Sequence, residues 1–182
     1  AAAQRESGHR RDHRLARIGG GVPGAAIVAH HHVDRALVGH LLDIGAGQAL
    51  VFCRTKRGAN RVGDDLGQRG VRTGVIHGNK SQAARTRVLD DFKAGRVRVL
   101  VATDIAARGL DIADLPLVVN FDLPLVAEDY VHRIGRTGRA GQHGRAVSLM
   151  SPSETELLRQ IQRLVVAPLE RVAVPGIAKI ET

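Results

Sequence analysis

Aromatic residues and cysteine are almost absent from this chain. Phe, Tyr and Trp make up 2% of its 182 residues, whereas 43% of the residues are hydrophobic. The length suits one domain plus a tail, and the core must be built from Val, Leu, Ile and Ala. Cys53 is the only cysteine, which excludes an internal disulfide and fits a reducing compartment. Because Cys53 lies in an apolar run, we interpret it as a small core residue rather than a nucleophile.

Long apolar runs are missing as well. No stretch approaches the roughly 18 uninterrupted apolar residues of a membrane span, and no signal-peptide core is followed by a convincing cleavage site. We therefore predict a cytoplasmic protein without a membrane partner.

Acidic residues are outnumbered by basic ones. Lys and Arg total 27 against 18 for Asp and Glu, which gives a formal net charge of +9. Such a balance indicates a polyanionic partner, most simply nucleic acid. A merely soluble basic protein remains compatible with the charge taken alone.

Both ends of the chain have weak patterns. Residues 1–30 are basic and glycine-rich and lack clear periodicity, so we predict a flexible leader, or else an arm that touches nucleic-acid phosphates. The row His30–His32 has no companion ligands at a recognised spacing, so no metal site is assigned. Residues 31–168 are predicted to form the folded domain, and residues 169–182 a C-terminal tail.

Short apolar runs alternate with segments of helical spacing. The predicted strands are Gln48–Phe52, Val71–Ile76, Val97–Ala102, Leu117–Asn120 and Arg145–Met150. Three helices are predicted over Arg57–Arg69, Ile105–Ala107 and Glu128–Arg133. A fourth is predicted to begin at an N-cap at Ser81 and to end near Gly95. A fifth is predicted to begin at a cap at Ser151 or Ser153 and to end at Leu164. This alternation predicts an α/β fold with a mainly parallel β-sheet and helices on both faces. Ligands gather at the carboxyl ends of such strands, where charged or glycine-rich residues follow each run.

Three arginines recur at every third residue in the stretch YVHRIGRTGRAG. They are Arg133, Arg136 and Arg139, with a glycine directly before the second and the third. Arginine presents a planar fork of donors that suits a phosphate, and a neighbouring glycine lets the backbone approach closely. A solvated basic turn is the alternative for one such pair, but the whole octet HRIGRTGR is far more specific.

This octet resembles motif VI of the DEAD-box ATP-dependent RNA helicases. The resemblance implies that Arg136 and Arg139 reach the γ-phosphate of ATP, with Arg133 in support. Related helicase classes usually begin the motif with glutamine, so His132 favours the DEAD-box branch and argues against a DNA helicase subunit.

The segment ATDIAARGLDI, residues 102–112, follows a predicted strand. From the residues alone, Thr103 and Asp104 either cap a short helix or hold an anion at its start. The segment closely matches DEAD-box motif V. That match implies that Thr103 touches the RNA backbone and Asp111 binds the ATP ribose, while Arg108 and Gly109 brace the loop against motif VI and Asp104 supports it.

Two further segments resemble the RNA-binding loops of the family. LVFCRTK, residues 50–56, resembles motif IV, and HGNKSQAAR, residues 77–85, resembles motif IVa. The RNA-binding candidates implied are Arg54, Thr55, Gly78 and Gln82, with Arg85 either bracing or contacting. The sequences of these loops are most similar to those of the bacterial RhlE-type branch.

The resemblance covers only the second, C-terminal RecA-like domain of such an enzyme. No part of the chain matches the GxxxxGK[ST] phosphate loop, and the DEAD carboxylates are also absent. ATP with Mg²⁺ would therefore be held mainly by an N-terminal RecA-like domain, and this fragment alone is expected to be inactive. The partners implied are that domain and RNA, as a single strand or short duplex. The alternative is a free-standing, non-catalytic RecA-like module that binds nucleic acid or protein.

Overall fold

A computed structural model describes residues 24–29, 47–137, 144–165 and 169–171. Within these ranges, seven strands form one sheet whose described pairings are all parallel, in the order β3-β4-β2-β5-β6-β1-β7. The strands are β1 Gly24–Ala29, β2 Ala49–Cys53, β3 Thr73–Ile76, β4 Val99–Thr103, β5 Leu117–Asn120, β6 Arg145–Met150 and β7 Glu170–Arg171. The predicted α/β fold is therefore confirmed.

Helices connect the strands, as parallel pairing requires. They are α1 Lys56–Gln68, α2 Gln82–Lys93, α3 Asp104–Ala107, α4 Ala127–Ile134 and α5 Thr155–Leu164. The predicted cap at Ser81 is confirmed, because its hydroxyl accepts a hydrogen bond from the Ala84 amide. Ser151 forms a capping box with Glu154 on a 3-10 turn, Pro152–Glu154, that leads into α5.

Aliphatic side chains fill both faces of the sheet. On one face, Val51, Val101 and Val119 pack against α1. On the other face, the alternate residues Leu50, Leu100 and Val118 pack with Phe92 of α2. A further cluster joins α4 and α5 to β1 and β6. The four aromatic residues of the chain are all buried: Phe52, Phe92, Phe121 and Tyr130.

The prediction of a flexible leader over residues 1–30 is wrong for its last part. Gly24–Ala29 forms β1, which pairs along its whole length with β6 and also with β7, and Ile27 is fully buried. The segment GAAIVA is short and made mostly of small residues, so it becomes a strand through its neighbours rather than through its own pattern. The predicted tail likewise contributes β7. The other predictions for residues 1–23 and 30–46 lie outside the described residues.

Strand register brings the polar loops to one edge of the sheet. Cys53 is aligned with Thr103, Phe52 with Asn120, and Asn120 with Ser148. The loops that follow β2, β4, β5 and β6 therefore start side by side, as ligand-binding loops do in open α/β sheets. No described helix has the length and apolar character that a membrane crossing requires.

Candidate functional site

Arg133 lies at the centre of this carboxyl edge. Its side chain is 2% exposed, and Nε and Nη2 donate to the two carboxylate oxygens of Asp104, each at 2.6 Å. Nη1 donates to Asn120 Oδ1 at 3.2 Å and to the Asp122 carbonyl at 2.7 Å. The guanidinium carbon also lies 5.0 Å from the centre of the Phe52 ring. Arg133 is thus held inside the domain and joins α4 to α3 and β5.

A buried chain of hydrogen bonds continues from Arg133 into the sheet. Asn120 Nδ2 donates to Ser148 Oγ at 2.9 Å, and Ser148 donates to the Tyr130 hydroxyl at 3.2 Å. Burial raises the pKa of Tyr130, against the opposing effects of its Ser148 hydrogen bond and of Arg133. Because each polar group in this series has a hydrogen-bond partner, these side chains can stay buried. Sequence reasoning missed these residues. The only available signal was a polar residue inside each of two apolar strands.

Arg136 lies just after the end of α4, and its side chain forms hydrogen bonds with the loop that follows α3. Its Nη1 donates to the carbonyls of Leu110 and Ile112, at 2.8 and 3.1 Å. These carbonyls flank Asp111, whose side chain is 98% exposed and has an exposed ion pair with Lys93 at 3.3 Å. Arg136 is half-buried, and no described hydrogen bond uses its Nη2. The sequence-predicted phosphate and ribose residues are therefore fixed together, while Arg139 lies outside the described residues.

The next turn of the chain reinforces this contact. The Leu115 amide donates to the Arg136 carbonyl at 3.0 Å, and the buried Thr137 donates from its hydroxyl to the Leu115 carbonyl. Residues 115 and 137 also form a parallel bridge. The two loops are thus held together by main-chain and side-chain hydrogen bonds.

A second ion pair links α3 to α4. Arg108 Nη2 donates to both carboxylate oxygens of Asp129, at 2.9 and 3.1 Å. His132 is 78% exposed, with Nδ1 3.7 Å from Asp129 Oδ1. Gly109 follows with φ +76°, a left-handed conformation that glycine adopts without strain. Of the two alternatives for Thr103 and Asp104, a side-chain cap is not observed. Thr103 is the N-cap residue but makes no side-chain cap bond, and Asp104 is the first helical residue and binds Arg133.

Arg54 and Thr55 follow β2 at the same edge. The Arg54 amide donates to Asp122 Oδ2 at 2.9 Å, while Nη2 donates to the Leu123 carbonyl at 3.0 Å and to Glu154 Oε1 at 2.6 Å. The Thr55 hydroxyl accepts the Gly58 amide and caps α1. Both side chains therefore have structural partners.

The loop after β3 is built around His77. Nε2 donates to Asn60 Oδ1 at 2.9 Å, and Nδ1 accepts the Asn79 amide at 3.3 Å, which fixes a neutral ring. Burial, followed by the nearby charges of Lys80 and Lys56, lowers the pKa of His77. The buried imidazole therefore holds the turn that exposes Gly78.

Gln82 and Arg85 lie in the first turn of α2. Arg85 Nη1 donates to Gln82 Oε1 at 3.2 Å, and Nη2 reaches the Ala106 carbonyl of α3 at 3.5 Å. Arg85 Nε is buried without a hydrogen-bond partner. The geometry thus gives Arg85 a bracing contact with α3, next to the buried Thr103.

The arrangement has the chemistry that a nucleotide requires. Asp111 offers an exposed carboxylate for hydroxyl groups, and the anchored Arg136 offers guanidinium donors for phosphate. The residues of this chain therefore fit one side of an ATP molecule. The described residues contain no cluster of three or more His, Cys, Asp or Glu side chains that could hold a metal.

The chain belongs to the family of the helicase conserved C-terminal domain, which matches residues 33–141. Within it, the similar proteins are DEAD-box RNA helicases. The chain is 49% identical over 136 residues to the DEAD-box ATP-dependent RNA helicase CshA of Geobacillus kaustophilus, covering 74% of this chain and 29% of CshA. It is 44% identical over 127 residues to the ATP-dependent RNA helicase DbpA of Bacillus subtilis, covering 70% of this chain and 26% of DbpA.

Solved structures give the same result. The E. coli DEAD-box protein SrmB, solved in complex with regulator of ribonuclease activity A, has a TM-score of 0.79 and 32% identity, with 90% of this chain and all of that chain covered. The C-terminal domain of the DEAD-box protein Dbp5 has a TM-score of 0.74 and 32% identity, with coverages of 81% and 88%. The predicted C-terminal helicase domain is therefore confirmed. The chain spans less than a third of the length of the curated relatives CshA and DbpA.

Proposed function

We propose that this domain forms the second wall of an ATP site and part of a single-stranded RNA surface in a DEAD-box RNA helicase. The observation that carries the proposal is the double contact of Arg136 with the carbonyls on either side of Asp111. It couples a phosphate-binding cation to a ribose-binding carboxylate, so both would meet one nucleotide together.

Each motif residue then has a distinct role. Arg136 and Arg139 would stabilise charge on the γ-phosphate, and Asp111 would accept hydrogen bonds from the ribose. Arg133 would act as a positioning residue, because its guanidinium is already occupied inside the domain. Arg108 would position α3 against α4 through Asp129. The ATP supplies a γ-phosphoryl group for transfer to water, and the N-terminal RecA-like domain would hold it with Mg²⁺.

The RNA-binding role rests on the loops at the carboxyl edge. Gly78 and Gln82 are exposed there, and they would contact phosphates together with Thr55 and Thr103. Arg85 would brace α2 against α3. Arg54 would have to exchange its ion pair with Glu154 for a phosphate, so we expect it to contribute less than the others. RNA would be recognised through its backbone, which confers little sequence preference.

Two finer assignments belong to the same proposal. The first is that the enzyme belongs to the RhlE-type branch of the DEAD-box helicases, which the sequence of residues 54–60 and 77–82 supports. A cytoplasmic location is expected from the single, buried Cys53, which suits a reducing compartment.

Two measurements test the proposal. The 182-residue chain should bind labelled single-stranded RNA with salt-sensitive affinity and should show no ATP turnover. Joined to its N-terminal RecA-like domain, it should hydrolyse ATP in an RNA-stimulated manner. ATP turnover by the chain alone would contradict the division of the site between two domains, and a lack of RNA binding at low salt would contradict the RNA role.

A further inference from the structure

We propose that the RNA surface continues beyond the strand-end loops onto α1, where an α1 basic patch binds the phosphates of a further part of the strand. The α1 basic patch consists of Lys56, Arg57, Arg61 and Lys80. This inference rests on the proposed RNA-binding function and deepens it, because none of these four residues is needed for the nucleotide site.

The patch starts where β2 ends. Lys56 and Arg57 are in the first turn of α1, Arg61 is one turn further, and all three are exposed. Residues at i and i+4 lie on the same side of a helix, about 6 Å apart along its axis. Arg57 and Arg61 therefore form a short basic row that leads away from the carboxyl edge.

Lys56 and Lys80 connect this row to the loop after β3. Lys56 Nζ donates to Asn79 Oδ1 at 2.6 Å. Its side chain passes so close to Gly78 that a Cβ at that position would be 3.5 Å from Lys56 Cε. Lys80 and Lys56 both act electrostatically on His77, which remains neutral between them. A phosphate bound at Gly78 would thus already be next to two members of the patch.

Three of the four cations in the patch form no ion pair within the described part of the chain. Among the described residues, Arg57, Arg61 and Lys80 form no ion pair, whereas Arg54, Arg96 and Arg159 each have an acidic partner. The first turn of α1 contains no acidic residue, and the partial positive charge of a helix N-terminus adds to the local field. Asp64 and Asp65 follow Arg61 by three and four residues and offset part of its charge, so the positive field is strongest at Lys56 and Arg57, at the end of α1 nearest the RNA loops.

The surroundings favour a phosphate backbone over an acidic protein. Protein interfaces are usually anchored by large apolar or aromatic side chains. The exposed large hydrophobic residues of the described chain lie elsewhere, at Ile105, Leu125, Val126, Val131 and Leu164. A patch of long cations without an apolar anchor suits a flexible polyanion, and its contacts would add affinity without reading bases.

The test is a titration of labelled 12-nucleotide single-stranded RNA at 50 and 200 mM salt. The variant Arg57→Gln/Arg61→Gln removes two proposed phosphate contacts, so its salt slope should fall by about 1.4. Wild type should then lose about sevenfold more affinity than the variant over this fourfold salt range. Arg57→Lys/Arg61→Lys, which keeps the charge, should retain most of the binding.

A matched control removes the same charge elsewhere. Arg69 caps the far end of α1 and Arg163 lies in the last turn of α5, and both are exposed. Arg69→Gln/Arg163→Gln should leave the salt slope close to that of wild type. The proposal of an α1 basic patch would be overturned if the salt slope of RNA binding fell equally in Arg57→Gln/Arg61→Gln and Arg69→Gln/Arg163→Gln, or fell in neither. The proposed RNA role itself fails if wild type binds no RNA. Loss of binding in Gln82→Ala but not in Arg57→Gln/Arg61→Gln would overturn the extension alone.

Discussion

Arg133 and Asp104 form a two-armed ion pair between helices α4 and α3. Both hydrogen bonds measure 2.6 Å, and the arginine side chain is buried while a quarter of the aspartate side chain is exposed. The pair ties the start of motif VI to the start of motif V. The ion pair therefore fixes the position of the C-terminal end of α4. Arg136, which follows this end, is thereby held near the Leu110 and Ile112 carbonyls.

Asp104→Asn should destabilise the domain strongly. The substitution leaves the buried Arg133 without its counter-charge, and breaking a buried pair in this way costs about 3–5 kcal/mol, less here because Asp104 is partly exposed. Urea denaturation of both proteins gives the change in free energy of unfolding. The exposed pair Arg159–Glu156 serves as control, and Glu156→Gln should cost less than about 1 kcal/mol. Similar losses in the two variants would show that the buried pair adds nothing special.

Two glycines of α1 should respond to alanine in opposite directions. A Cβ at Gly63 would lie 2.3 Å from Val75 Cγ2 of β3, whereas nothing lies within 4 Å of a Cβ at Gly67. Gly63→Ala should therefore lower the free energy of unfolding by about 1–3 kcal/mol through overpacking. Gly67→Ala should raise it by up to about 1 kcal/mol, because alanine favours the helix. Thermal and urea unfolding measure both, and a stabilised Gly63→Ala would contradict the close packing of α1 on β3.

The stability of the domain should depend on the protonation of His77. Its pKa is lowered in the folded state from the usual value of 6.5, so the folded protein prefers the neutral ring. The stability that His77 contributes is thus present above pH 6.5 and is lost as the pH falls below it, with a slope of at most about 1.4 kcal/mol per pH unit.

His77→Gln is the matched variant for this effect. It should be less stable than wild type at pH 7.5, and the difference should shrink as the pH falls to 5.5. All other histidines are present in both proteins, so their titration cancels in the comparison. Urea denaturation at several pH values measures the difference, and parallel stability profiles would refute the role of His77.

In the proposed two-domain enzyme, the two proposed phosphate-binding arginines should differ in their effects. Arg139→Ala should abolish ATP hydrolysis, a loss on the order of a thousand-fold or more in kcat, while sparing most ATP binding. Arg136→Ala should lower kcat and also raise the KM for ATP, since it frees the loop that carries Asp111. Steady-state kinetics separate the two effects, with Arg163→Gln as control. Unchanged turnover in Arg139→Ala would refute its assignment.

The elements with strong local patterns were predictable within a few residues. β5 and β6 have the predicted bounds, and α1 and α4 differ from them by one residue at each end, because apolar runs and helical spacing are properties of the segment itself. β1 and β7 depend on pairing with distant strands. Their own residues show no clear strand pattern, so these two segments were assigned to the predicted leader and the predicted tail.

The sequence predicted which loops share the carboxyl edge of the sheet, but not the contacts that each side chain makes there. Arg133 and Arg136 look equivalent in the sequence, yet one is buried against Asp104, 29 residues earlier, and the other grips main-chain carbonyls. Likewise, nothing near Arg54 in the sequence indicates Glu154, a hundred residues away. Such partnerships arise only when the strands bring their loops to one edge.

The burial of every aromatic ring has a consequence for how nucleic acid would be handled here. Phe52, Phe92, Phe121 and Tyr130 all lie in the interior, so none of these four rings offers a surface on which a nucleobase could stack. If RNA binds as proposed, purines and pyrimidines would be treated alike, and the choice among transcripts would have to come from another part of the protein or from a partner.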